Sequence, residues 1–182
     1  MPHDIRAIAN FILDQSDRMG FPITNMALNK ILYFTHGWRL AFNHGPLYAQ
    51  EFEAWPNGPV SPVIYHEFKQ NRSEPIGNRA KIMDIVTGES CIARYHLTEE
   101  EVAFIVRMIS FYGHREALTL SHMSHEKDAP WDIVRNSGTQ LGMRIPNTDI
   151  QEYFATKLKS KAHVKNGRED SLQRTEQQSH YS

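Results

Sequence analysis

Cysteine is nearly absent: Cys91 is the single one in 182 residues. It cannot close an internal disulfide, and a thiolate metal cage needs several such ligands, so a reducing cytoplasm is the expected setting. Long hydrophobic runs are missing too. The first ten residues carry Asp4 and Arg6 where a secretory leader needs an unbroken apolar stretch, and no later segment is apolar for the length of a bilayer, so neither secretion nor membrane insertion is expected. Nor is there an excess of one charge. With 20 Lys and Arg against 21 Asp and Glu the formal net charge is −1, which provides no bulk field to draw in nucleic acid. The ten histidines are a reserve of positive charge only if they gather on one face.

The usual signatures of catalysis are lacking as well. Neither GxGxxG nor GxxxxGK[ST] occurs, which removes the two familiar glycine-rich phosphate cradles, and no Gly-x-Ser-x-Gly elbow presents a nucleophile. Cys91 falls in an expected strand rather than at a helix N-terminus that would lower its pKa. His122 and His125, three apart on an expected helix, have the spacing of two zinc ligands, but HExxH is absent and a third ligand would have to come from His36, His66, Glu126 or Asp128. Structural histidines are the preferred reading of that pair. Glu51 and Glu53 share a strand face, where a solvated edge is preferred to an acid/base pair. These absences point to no enzyme and no cofactor.

What is present is an ordinary globular composition, 40% hydrophobic and 23% charged, sufficient for one domain over residues 1–160 followed by a polar tail over 161–182. Ile5, Ile8, Ala9, Ile12 and Leu13 recur at helical spacing and predict a first amphipathic helix, broken by Gly20 and Pro22. Thr24 or Asn25 can cap a second, running to about Phe42 and apolar on more than one face, hence central. Glu51 to Trp55 alternates as a short strand expected to stop at Pro56-Asn57-Gly58-Pro59, and Ser61-Pro62 opens a short helix through Phe68 to about Asn71. Ile82 to Val86 and Cys91 to Tyr95 suggest a hairpin. Thr98 with Glu101 is a capping box for a helix to Gly113; Thr119 or Ser121 starts another that ends near Pro130; Thr148 with Gln151 repeats the capping logic for a last one. The fold class expected is therefore mainly α with a small β-hairpin or short sheet, a compact α+β domain. Trp38, Trp55 and Trp131 with Tyr33, Tyr48 and Tyr65 offer aromatics for recognition, although aromatics at helical spacing more often fill a core.

The combination Asn29-Lys30-Ile31-Leu32-Tyr33-Phe34-Thr35-His36-Gly37-Trp38, then Glu53-Ala54-Trp55-Pro56-Asn57-Gly58-Pro59-Val60, Tyr65-His66-Glu67-Phe68, and finally Ser124-His125 with Pro130-Trp131, resembles the Panacea domain family, which includes SocA-like antitoxins and phage-associated GepA-like proteins. The resemblance spans about Ile5 to Tyr153. It implies a helical domain that neutralises a cognate toxin encoded beside it by direct contact, with delivery of the toxin to a Clp-type protease as the alternative role, and it brings no catalytic residue. The residues it marks as structural or partner-binding are Lys30, Tyr33, Trp38, Glu53, Trp55, Gly58, Pro59, Tyr65, Phe68, His125, Pro130 and Trp131. The sequence departs from the family pattern at Pro56-Asn57, where a bulkier residue commonly precedes the Gly-Pro. Gly37 is expected to admit a close neighbour to the central helix, and His125, Pro130 and Trp131 are expected to pack a late loop on that helix. Oligomeric state is left open by the sequence.

Overall fold

A computed structural model describes residues 1–137 and 143–160. The chain opens with α1 (Ile5–Met19), where the Asp4 carboxylate accepts the Arg6 N–H at 2.8 Å and Gly20 closes the helix in the left-handed conformation at φ 77°. Helix α2 (Asn25–Ala41) is capped by Thr24, whose hydroxyl accepts the Ala27 N–H at 3.3 Å. Nearly every residue of α2 is buried, polar ones included, because α1 and four later helices pack around it.

Strand β1 (Phe52–Trp55) buries Phe52 and Ala54 and turns Glu53 outward, as the alternation predicts. The strand stops after Trp55 as expected, but Gly58 and Pro59, expected to belong to the stop, do not. Pro56 and Asn57 make a turn, and Gly58–Val60 returns as strand β2, antiparallel to β1 with Trp55 opposite Gly58 and Glu53 opposite Val60. Two features permit this. Gly58 adopts φ 100°, closed to other residues, and β2 is the edge of a sheet ordered β2-β1-β5, where Pro59 forfeits no inner ladder bond. The third strand, β5 (Arg144–Ile145), pairs with β1 through Phe52 and Ile145. Pro62 then starts α3 (Pro62–Phe68), which tightens into a 3-10 turn over Lys69–Asn71.

The middle of the chain forms a second antiparallel pair, β3 (Lys81–Met83) with β4 (Ser90–Ile92), in which Cys91 is exposed. Asn10 of α1 holds its base: Nδ2 donates to the carbonyls of Ala80 and Ala93 at 2.9 and 2.8 Å, and Oδ1 accepts the Ala80 N–H at 2.7 Å. Helix α4 (Glu99–Tyr112) carries the reciprocal Thr98–Glu101 capping box.

Three helix boundaries differ from expectation. Helix α5 (Ala117–Ser124) begins before Thr119, and Pro130 opens α6 (Pro130–Asn136) instead of ending a helix, since a proline at the first helical position forfeits only an amide that would be unpaired there. The last helix, α7 (147–160), starts ahead of Thr148: the Ile150 N–H reaches the Pro146 carbonyl, and Thr148 Oγ1 donates to Asp149 rather than capping. Helix α7 crosses α2 at Gly37, where a Cβ would sit 2.7 Å from Phe154 Cζ, so the expected close approach is made by α7. No helix among the described residues is long and apolar enough to cross a membrane. The expected polar tail, 161–182, lies outside the described residues.

Candidate functional site

Where α2, the β1–β2 turn and α3 meet, they leave a cleft of about 330 Å³. Its floor is polar and internally satisfied. Asn29 Nδ2 donates to the carbonyl and to Oδ1 of Asn25 at 3.0 and 2.9 Å, its Oδ1 accepts the Ser61 N–H at 2.9 Å, and Asn25 Nδ2 donates to the Tyr65 carbonyl at 3.1 Å. These bonds tie the start of α3 to α2. The next residue of α2, Lys30, is fully buried; its Nζ donates to the Pro59 carbonyl at 2.9 Å and has no carboxylate partner among the described residues. Loss of solvent drives its pKa down to about 7.

The walls are of another kind. The Trp55 and Tyr65 rings meet at 4.8 Å between centroids, and Trp55 Nε1 donates to Glu53 Oε2 at 2.7 Å, which fixes the indole. Met26 and Pro56 add apolar surface, and the exposed Lys69 and Arg72 stand at the edge of the 3-10 turn. Among the described residues no Asp or Glu lines the cleft. Chemically the site offers an aromatic wall of two rings inclined at 59°, with Lys69 and Arg72 at its edge, suited to binding and without a nucleophile beside a base.

A family model described as "Antitoxin SocA-like, Panacea domain" matches residues 28–132, from the first turns of α2 into α6. The chain belongs to this family. A relative named Antitoxin SocA, from Caulobacter vibrioides (strain NA1000 / CB15N), is 39% identical over 154 residues, which is 83% of this chain and 82% of the relative. No solved structure matches the chain.

In this Panacea domain the residues marked by sequence divide by position. Lys30, Trp55 and Tyr65 line the cleft, while Gly58, Pro59 and Glu53 shape it from the hairpin. Gly58 is needed for space as well as for φ: a Cβ there would lie 2.5 Å from Ser124 Oγ and 2.9 Å from Lys30 Cε. Tyr33 and Phe68 are core, and Trp38 sits apart, its Nε1 donating to the Tyr112 hydroxyl at 2.7 Å. His125, Pro130 and Trp131 do pack as a unit, with the His125 and Trp131 rings 3.9 Å apart, but against the hairpin: Trp131 Nε1 donates to the Trp55 carbonyl at 2.7 Å. The expectation that they close on the central helix is corrected accordingly; α5 takes that place on α2.

The other candidates resolve into structure. His122 is exposed at the end of α5 and His125 faces Trp131; among the described residues no three His, Cys, Asp or Glu side chains are grouped to hold a metal. Glu51 pairs with Arg144 at 3.0 Å while Glu53 serves Trp55, so the two carboxylates do not act together. Sequence reasoning missed Asn25, Asn29, Lys69 and Arg72. The Asn25–Asn29 spacing of four was a usable signal for a helix-face hydrogen bond; nothing local marks the two cations.

Proposed function

We propose that this protein is a cytoplasmic antitoxin that neutralises a cognate toxin by direct protein contact and catalyses no reaction itself. The observation that carries the reading is the 39% identity to Antitoxin SocA over most of both chains. The cleft agrees with it, since it presents a half-buried tryptophan with an exposed tyrosine and arginine, the side chains most enriched where protein partners bind tightly. In this reading Trp55 and Tyr65 meet the partner, and Lys30, Tyr33, Phe68, Gly58, Pro59, His125, Pro130 and Trp131 maintain the scaffold that presents them.

The test is co-expression with the product of the adjacent gene, followed by growth measurement and affinity purification, using the full chain and a chain ending at Ser160. Growth rescue with a co-purifying complex is expected. Toxicity unrelieved by the full chain, with no complex, would overturn the reading. Retained rescue by the shortened chain would place binding within the 1–160 domain.

A further inference from the structure

We propose that the cleft seats an acidic segment of the toxin with one apolar side chain inserted between Met26, Trp55 and Tyr65 and its carboxylates on Lys69 and Arg72. This rests on the toxin-binding reading above. Asn25, Asn29 and the Ser61 amide already satisfy one another, so the polar demand left in the depth of the cleft is that of the Lys30 amine beyond its bond to the Pro59 carbonyl. An apolar side chain placed against Met26, Trp55 and Tyr65 breaks no hydrogen bond of the asparagine network, and the aromatic wall rewards it.

The charge at the opening fixes the sign of the partner. Lys69 and Arg72 are exposed and form no ion pair among the described residues, and no carboxylate lines the cleft to compensate them. Behind the wall, the Lys30 amine has used one donor, on the Pro59 carbonyl, so protonated Lys30 adds to a field of the same sign. Two exposed cationic side chains at the opening of one cleft, in a chain of net charge −1, are a local concentration and not a general property of the surface. Elsewhere, the groove among Phe42, Phe104, Phe111 and Leu158 has Arg107 as its one charged lining residue, so it selects less by charge.

The experiment uses the full chain and the purified product of the adjacent gene. Lys69→Glu with Arg72→Glu replaces two exposed side chains, so the fold is expected to be retained, checked by an unchanged urea midpoint. Tyr65→Ala probes the apolar wall separately, and Arg107→Glu serves as the control on the other groove. The wild-type affinity is expected to fall as salt is raised; the double reversal should weaken it roughly tenfold or more at low salt and flatten the salt dependence. If the wild type binds and the double reversal binds within about twofold of it, the cleft is not the site and the antitoxin reading stands. If Arg107→Glu weakens binding as much as the double reversal, the specificity claimed for the cleft fails. If the wild type forms no complex and gives no rescue, the antitoxin reading fails and this inference falls with it.

Discussion

Replacing Lys30 with methionine keeps the unbranched side chain as far as Cε and removes its titration, which makes the buried amine measurable through pH. In the folded protein the amine has a pKa of about 7, against 10.5 when solvated. Between these values the unfolded chain binds a proton that the folded one does not, so stability rises with pH across that window and is level below the folded pKa and above the unfolded one. At ~1.4 kcal/mol per tenfold change in proton affinity, the full span is worth about 5 kcal/mol, of which about 3 kcal/mol falls between about pH 7 and about pH 10. His125 lies close enough to sense the same charge. The informative quantity is therefore the difference between wild type and Lys30→Met. Urea unfolding at a series of pH values should show wild-type stability rising relative to the variant by that amount, with equal m-values. The substitution also leaves the Pro59 carbonyl without its donor, a cost of about 1–3 kcal/mol that is independent of pH and offsets the two curves without changing their divergence. Parallel curves, diverging by less than about 0.5 kcal/mol, would refute the argument that Lys30 is held out of water.

Two further outcomes follow from packing and from acid titration. Gly37→Ala places a methyl into the Phe154 ring, and despite the better helix propensity of alanine it should cost about 2 kcal/mol, with Phe154→Leu restoring part of the loss in the double variant; a neutral Gly37→Ala would mean that α7 moves freely on α2. Burial pushes the Glu101 pKa up, but hydrogen bonds from His3 and the Thr98 amide, with Arg39 nearby, outweigh it and hold the carboxyl below its ordinary value. Its contribution is present above the unfolded pKa and disappears as pH falls through the lower folded one. Glu101→Gln should therefore cost about 1 kcal/mol near neutrality and flatten the acid limb of the stability curve, whereas an unchanged acid limb would contradict the assignment.

What was legible in the sequence was what is decided within a few residues. Thr24 and the Thr98–Glu101 box act on amides three positions away, so their hydrogen bonds were readable before any tertiary structure. Proline was legible as punctuation but ambiguous in sense. Pro130 reads equally as a stop or a start, and Pro59 is tolerated in a strand only because β2 lies at the sheet edge, a fact of topology. Gly37 announced a close approach, yet nothing near it names Phe154 as the neighbour. The cleft was least visible, because its wall depends on the two-residue turn at Pro56-Asn57, which sets the hairpin register that brings Trp55 to Tyr65. The motif residues thus identified the family while saying little about which of them face outward.

The bonds that hold the cleft separate its scaffold from its recognition surface. The hairpin and α3 are tied in place through main-chain carbonyls: Pro59 accepts from Lys30, Tyr65 from Asn25, Asn57 from Ser121 and Trp55 from Trp131. Each donor comes from a helix beneath or behind the cleft. The side chains of Asn57, Tyr65, Lys69 and Arg72 are exposed and contribute to none of these ties. Substitutions at such positions fall in the class that changes stability by about 0.5 kcal/mol or less, whereas Lys30, Asn29 and Gly58 cannot change without disturbing the floor. A domain built this way can alter the charge and shape it offers a partner while keeping its fold, because the hydrogen bonds that position the rim do not involve the side chains that a partner would touch.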